Sequence, residues 1–190
     1  MLPSDIVNIV VVGDGMVGKT CLLHAYTNPD SSFNIDYTPT IYDKGSIDLR
    51  LNGTDYTIQL HDTAGQEDFE RIRRQFYKQA NCFLLCYSID SRVSFENVTA
   101  KWIPELTANL RLPIVLVATK VDTRRHTNKE VSTREGEQLA RKINANAFIE
   151  CSAKDGSNVE QAIEEAVRAC LLGVPTPPED DSCWSKCWPL

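Results

Sequence analysis

Ile6-Val7-Asn8-Ile9-Val10-Val11-Val12, Gly13-Asp14-Gly15-Met16-Val17-Gly18-Lys19-Thr20 and Cys21-Leu22-Leu23-His24-Ala25-Tyr26 follow one another without a break. The first run is β-branched and apolar and predicts a buried strand. The second matches G-x-x-x-x-G-K-[ST], and the third reads as a helix. Strand, glycine-rich loop and helix N-terminus form the context in which this pattern binds phosphate. Glycines let the backbone N–H groups of Gly13, Asp14, Gly15, Met16, Val17 and Gly18 turn inward around a β-phosphate. The free N–H groups and dipole of the helix then favour its negative charge. Lys19 would reach the β- and γ-phosphates, the Thr20 hydroxyl would ligate Mg²⁺, and Cys21 would pack under the nucleotide. The loop therefore implies a nucleoside triphosphate.

A chain of 190 residues, 42% hydrophobic and 24% charged, has the composition of one ordinary globular domain. Its net charge of −6 lacks the basic footprint that a nucleic-acid partner demands. Seven cysteines show no metal-binding spacing and, being odd in number, cannot all pair. Cys82, Cys86, Cys151 and Cys170 fall in predicted strands or helices and read as small apolar residues of a reducing compartment. The first apolar run is too short for a membrane span and lacks the basic flank of a signal peptide.

Strands and helices alternate along the chain. Ile47–Leu51 and Tyr56–Leu60 alternate with period two around Asn52-Gly53, which predicts an antiparallel hairpin. Cys82–Tyr87 and Pro113–Ala118 are continuously apolar, as strands covered on both faces should be, and Ala147–Glu150 is a shorter last strand. Ser132-Thr133-Arg134-Glu135 and Ser157-Asn158-Val159-Glu160 both fit a capping box. Val159, Ile163, Ala166, Val167, Cys170 and Leu171 predict one apolar face, closed by Gly173 and Pro175. Pro104 predicts a kink in the helix around Phe95, Val98, Trp102 and Leu106. The sum is an α/β P-loop fold: a six-stranded, mostly parallel sheet with one antiparallel hairpin strand and helices on both faces. Residues 1–173 would form the domain, and 174–190 a Pro-rich acidic tail.

Three further segments narrow the ligand. Asp62, at a strand end and followed by Thr63-Ala64-Gly65-Gln66, can hold Mg²⁺ through water; the Gly65 N–H can approach a γ-phosphate and Gln66 can orient an attacking water. In Thr119-Lys120-Val121-Asp122, a carboxylate can accept the N1–H and 2-amino protons of guanine. Adenine offers neither donor and is rejected. Ser152-Ala153-Lys154 follows the last strand, where backbone N–H groups can meet the guanine O6. Each segment alone has a plain structural reading as a turn, a solvated loop or a helix start. In this order, all at carboxyl ends of predicted strands, they lie where open α/β sheets bind ligands.

With Gly13–Thr20, Tyr37-Thr38-Pro39-Thr40-Ile41-Tyr42-Asp43, Asp62–Asp68, Ser94–Val98, Lys101-Trp102, Thr119–Asp122 and Glu150–Ala153, the chain resembles small GTPases of the Ras superfamily, and within it the Rho/Rac family, over residues 5–172. The resemblance implies a monomeric GTP hydrolase that binds GTP or GDP with Mg²⁺. It implies that Phe33 packs beside the base, Tyr37 covers the phosphates, and Thr40 joins Thr20 and Asp62 around Mg²⁺ when GTP is bound. Segments 32–45 and 62–78 would be two switches, with Gln66, Lys19 and Gly65 catalytic. Exchange factors and GTPase-activating proteins would regulate the cycle, and residues 37–45 would meet effectors. Gly15 would occupy a crowded loop position where any side chain would obstruct the attacking water and an incoming arginine finger, and Met16 would point outward.

The chain also departs from that family. The dozen-residue helix that Rho relatives insert after the base-binding Asp is missing or vestigial between Thr123 and Val131. His61 stands where an aromatic residue is usual and is expected on the surface between the switches. Arg73-Arg74-Gln75-Phe76-Tyr77 replaces R-P-L-S-Y. The tail ends in Cys187-Trp188-Pro189-Leu190, of C-a-a-X form, implying a prenylated Cys187 with Cys183 as a second lipid site. A cytoplasmic protein cycling to the cytoplasmic face of a membrane follows. A thiol at a helix N-terminus can lose its proton readily, which gives Cys21 a redox role as a minor hypothesis. Two other readings stay open: a constitutively GTP-loaded scaffold that hardly turns over, and an ATP-dependent phosphotransferase.

Overall fold

The computed structural model describes residues 6–29, 42–51, 53–65, 70–108, 111–125 and 129–175, with the side chains of 42–44 and 51 left aside. The elements run β1 (Ile6–Val12), α1 (Lys19–Thr27), β2 (Tyr42–Leu51), β3 (Thr54–Thr63), α2 (Glu70–Tyr77), β4 (Cys82–Ser88), α3 (Arg92–Asn97), a π turn (Val98–Trp102), α4 (Ile103–Thr107), β5 (Ile114–Thr119), a 3₁₀ turn (Val121–Thr123), α5 (Thr133–Lys142), β6 (Ala147–Glu150) and α6 (Val159–Leu172). Six strands form one sheet in the order β2-β3-β1-β4-β5-β6. Among the described residues only the β2–β3 pair is antiparallel.

The hairpin is longer than the alternation of side chains predicts. Pairing runs from Leu51 opposite Thr54 to Tyr42 opposite Thr63. Gly53 holds a left-handed φ of 83° at the turn, a value that its missing Cβ permits. β1, β4 and β5 are buried along nearly all their length, which their continuous apolar character requires.

Two cores result. On one face α1 and α6 pack Leu22, Leu23, Val159, Ala162, Ile163, Ala166 and Val167 against alternate residues of the strands. On the other, Tyr77, Val98, Trp102, Ile103, Leu106, Leu139 and Ile143 cover Val10, Val12, Phe83, Leu85 and Leu116. Leu171, predicted on the inner face of α6, is 41% exposed, and Ala162 and Ala169 are buried in that face. The drift follows from a helical period that lets a stripe wander over four turns.

Two helix starts expected to be alike differ. Ser132 caps α5 with the reciprocal Glu135 contact of a capping box. α6 has no such box. Its N-cap is Asn158 in a left-handed conformation, φ 54°, with no capping side chain. The Ser157 hydroxyl instead donates to Asp155 at 2.6 Å, and the Asn158 amide donates to the Glu150 carbonyl at 2.8 Å. At Pro104 the expected disturbance takes the form of the preceding π turn, where the Ile103 N–H reaches the Val98 carbonyl five residues back. A proline lacks an N–H and crowds the preceding turn, and the wider turn accommodates both.

Candidate functional site

The carboxyl ends of β1, β3, β5 and β6 converge on the loop Gly13–Gly18. Gly13 has φ 138°, and a Cβ there would lie 2.2 Å from the Cys86 carbonyl oxygen. No other residue fits between β1 and β4 in that conformation. Gly18, φ 95°, opens α1 without any capping side chain. The first N–H groups of that helix are thus left to meet an anion. Met16 is 70% exposed, as expected, with φ 63°. The crowding expected at Gly15 is not set by the described residues: a Cβ there would meet none of their atoms within 4 Å. Among the described residues nothing opposes a side chain there, which leaves the attacking water and an incoming arginine as what it would obstruct.

Lys19 is 6% exposed, and its ammonium donates to the carbonyls of Gly13 at 2.8 Å and Asp14 at 2.7 Å. Burial lowers its proton affinity, opposed by the negative charge that Cys86, Asp62 and Asp14 can carry. A cation stripped of water in this way fits a polyphosphate. Thr20 donates to Asp62 Oδ2 at 2.5 Å, which brings a hydroxyl and a carboxylate oxygen together at the rim of a 200 Å³ cavity between α1 and the β2–β3 pair. Hard oxygens of this kind suit Mg²⁺. Among the described residues no cluster of three or more His, Cys, Asp or Glu is placed to hold a metal.

The Asp14 carboxylate faces away from the loop's concave side. Its Oδ1 accepts from the Trp102 indole at 2.7 Å and its Oδ2 from the Asn97 amide at 2.6 Å. What Asp14 can offer a ligand is therefore its backbone. Gly65 lies against the same loop, since a Cβ on it would sit 2.3 Å from Asp14 C and Gly15 N. Sequence reasoning assigned no site role to Asn97, Trp102 or Arg73. Their contacts span 83, 88 and 9 residues, and the signal for two of them was that Asn97 and Trp102 lie in the segments Ser94–Val98 and Lys101-Trp102 that carry the resemblance.

The third wall comes from β5 and β6. Thr119 is buried, and its hydroxyl lies 2.5 Å from the Val17 carbonyl and 3.0 Å from that of Tyr87. That hydroxyl joins the phosphate loop to β5 and β4. Lys120 holds a left-handed φ of 59°, and its ammonium stands 3.5 Å from Asp90. Ser152 donates to Asp122 Oδ1 at 2.7 Å, and Lys154 Nζ lies 3.8 Å from Oδ2. The Val121 N–H donates to the Cys151 carbonyl at 3.3 Å. Asp122 is thus an oriented acceptor beside the Ala153-Lys154 backbone. A cavity of 430 Å³ lined by Cys21, His24, Ala153, Lys154 and Val159 adjoins it.

One expectation is overturned here. His61 is 2% exposed and not a surface residue. β3 lies between β1 and β2, Phe76 from α2 faces the imidazole with ring centres 6.3 Å apart, and Nε2 lies 2.9 Å from Asn8 Oδ1. The minor redox hypothesis for Cys21 finds no support, because burial raises its proton affinity more than Lys120 lowers it. Phe33, Tyr37, Thr40, Gln66, Cys183 and Cys187 lie outside the described residues.

The Ras family model matches residues 8–172. The chain is also similar to the Ras-like GTP-binding protein RhoL of Drosophila melanogaster, 50% identical over 163 residues that cover 85% of each chain. With a phosphate loop, a hydroxyl–carboxylate pair and an oriented acceptor on one sheet edge, the chain belongs to the Ras family and is a small GTP-binding protein that hydrolyses GTP.

Proposed function

We propose that this protein is a Rho-like switch, cycling between GTP- and GDP-bound states with Mg²⁺ and presenting segments 32–45 and 62–78 to regulators and effectors. The observation that carries the reading is the joint orientation of Asp122 by Ser152 and of Thr20 by Asp62, one pair suited to guanine and the other to a phosphate-bound divalent ion. Asp122 accepts the two ring-edge protons of guanine, and Lys19 balances the phosphate charge. Gly65 N–H meets the third phosphate, and Gln66 orients water for in-line attack. Mg²⁺, held by Thr20, Thr40 and, through water, Asp62, would supply charge neutralisation of the phosphates. Thr40 and Gly65 release both switches once the third phosphate is gone.

Support for the Rho-like assignment comes from the similarity to RhoL and from Thr119, the residue the Rho-like pattern carries at that position. The connection from β5 to α5 holds only the 3₁₀ turn Val121–Thr123 among its described residues, so partners that grip a longer helical insertion there would not bind. A lipid on Cys187, with Cys183 as a second site, would bring the protein to the cytoplasmic face of a membrane. Cys187→Ser should then deplete the membrane fraction in cells, and an unchanged fraction would refute the lipid.

The test of the cycle is single-turnover hydrolysis of bound GTP, with release of labelled GDP followed in Mg²⁺ and in EDTA. Slow hydrolysis and release accelerated by EDTA are expected. Fast release in Mg²⁺, or no hydrolysis, would replace the cycling switch with a GTP-loaded scaffold. Gln66→Leu should nearly abolish turnover while GTP binding persists, and unchanged turnover would remove Gln66 from its role.

A further inference from the structure

We propose that Arg73 and Lys101 are positioning residues that aim the Gly65 backbone N–H at the third phosphate, and so set how strongly this protein prefers GTP over GDP. The proposal rests on the reading of the strand ends as a guanine-nucleotide site.

Arg73 is 1% exposed, an unusual burial for a guanidinium. Its Nη1 donates to the Ala64 carbonyl at 2.9 Å. Its Nε and Nη2 span the Glu105 carboxylate at 3.3 and 3.1 Å, and the Tyr77 hydroxyl donates to Glu105 Oε1 at 2.6 Å. The guanidinium carbon also lies 4.9 Å from the centre of the Trp102 ring. Burial works against the Arg73 charge, and the hydrogen bonds and charge of Glu105 outweigh it, so its proton is held more firmly than usual.

Such a pair is costly to desolvate and often adds no stability over an apolar pair of the same volume. It does, however, fix direction. In a trans peptide the C=O and the following N–H point opposite ways. Drawing the Ala64 carbonyl inward, between α2 and α4, turns the Gly65 N–H outward. Gly65 itself sits against the backbone of Gly13, Asp14 and Gly15, where a Cβ would find no room. Lys101 holds the next peptide, with its ammonium 3.3 Å from the Gly65 carbonyl and 4.7 Å from the centre of the Trp102 ring. Trp102 in turn donates to Asp14, so one indole braces both the phosphate loop and the two cations that orient the Ala64-Gly65 segment.

The experiment uses the full chain and displacement of a fluorescent GDP by unlabelled GDP and by GTPγS, at fixed Mg²⁺. It compares the parent with Lys101→Met, Lys101→Arg and the double variant Arg73→Met/Glu105→Gln, which leaves no charge buried alone. GDP-bound melting temperatures are recorded alongside. The GTPγS-to-GDP affinity ratio should fall roughly tenfold in the double variant, the scale of one hydrogen bond to a charged group. It should fall a few-fold in Lys101→Met and return in Lys101→Arg, with GDP affinity within about twofold of the parent throughout. An unchanged ratio in Lys101→Met, which removes an incompletely buried side chain and should fold, overturns the role of Lys101. Equal losses for both nucleotides in the double variant mean a purely structural role and overturn that of Arg73. A parent that binds neither nucleotide overturns the guanine-site reading itself.

Discussion

The Trp102 indole N–H donates to the Asp14 carboxylate at 2.7 Å, across 88 residues of sequence, from the last position of a π turn to the second position of the phosphate loop. Asn97 completes the hold on the other carboxylate oxygen. The loop's outer side is therefore anchored to the helix that also packs on α2. Trp102→Phe keeps a six-membered aromatic ring and removes the five-membered ring that carries the donor. It should speed GDP release by roughly tenfold in Mg²⁺ and cost about 1–2 kcal/mol of stability, as expected for a carboxylate deprived of one partner. Stopped-flow release of fluorescent GDP tests this, and an unchanged rate would show that the loop keeps its shape without the anchor.

Asp122 is held as an acceptor by Ser152, with its second oxygen near Lys154. Asp122→Asn replaces an acceptor by a donor, which repels the N1–H and 2-amino group of guanine. GTP affinity should fall by a factor on the order of 10²–10³, consistent with buried polar groups left unpaired. Xanthine carries an oxygen where guanine carries its 2-amino group, so XTP should bind the variant better than GTP does. Competition binding with GTP, XTP and ATP measures the order, and a variant that still prefers GTP would move base recognition elsewhere.

The parts of the fold set by short-range chemistry were legible in the chain. Asn52-Gly53 names its hairpin, Ser132 and Glu135 name the start of α5, and Gly13–Thr20 names the phosphate loop. What was not legible depends on which neighbour wins a side chain. Ser157 fits a capping box, yet Asp155 is two residues away and takes its hydroxyl, while Asn158 adopts the left-handed conformation that asparagine tolerates. His61 reads as a surface residue because strand polarity alone does not say that α2 lays Phe76 over it, or that Asn8 of β1 meets its ring. The burial of Arg73 is hidden for the same reason. Its partner Glu105 is 32 residues distant and becomes visible only when α4 packs against α2.

Gly136 carries a packing role that its place inside a helix conceals. A Cβ there would lie 2.3 Å from the Phe148 ring and 2.6 Å from the Tyr87 hydroxyl. Both neighbours belong to aromatic side chains on strands β6 and β4 and cannot swing aside freely. Gly136→Ala would gain about 1 kcal/mol of helix propensity and lose about 1–3 kcal/mol to overpacking. The variant should be the less stable protein in chemical denaturation. A gain in stability would mean that α5 lifts off the sheet at little cost.

Glu135 supplies the clearest acid-sensitive contact. Its carboxyl is held down to about 2 by the Arg92 side chain first, then by the Ser132 N–H and hydroxyl. Arg92 Nη1 stands 2.5 Å from Glu135 Oε1, and both side chains are about a third exposed, at 36% and 37%. Because the folded state binds this proton less tightly than the unfolded chain, whose carboxyl titrates near 4.5, stability from the contact is complete above that pH. It is lost as pH falls from there toward 2. Solvent and salt screen a pair this exposed, so its worth at neutral pH is about 1 kcal/mol or less, capping included. Glu135→Gln should therefore lower stability at pH 7 by that amount, and the gap to the parent should close between about pH 4.5 and pH 2. Urea titrations at stepped pH follow the difference, and a gap that stays constant to the acid limit would assign the loss to the cap geometry of α5 and not to the charge on Glu135.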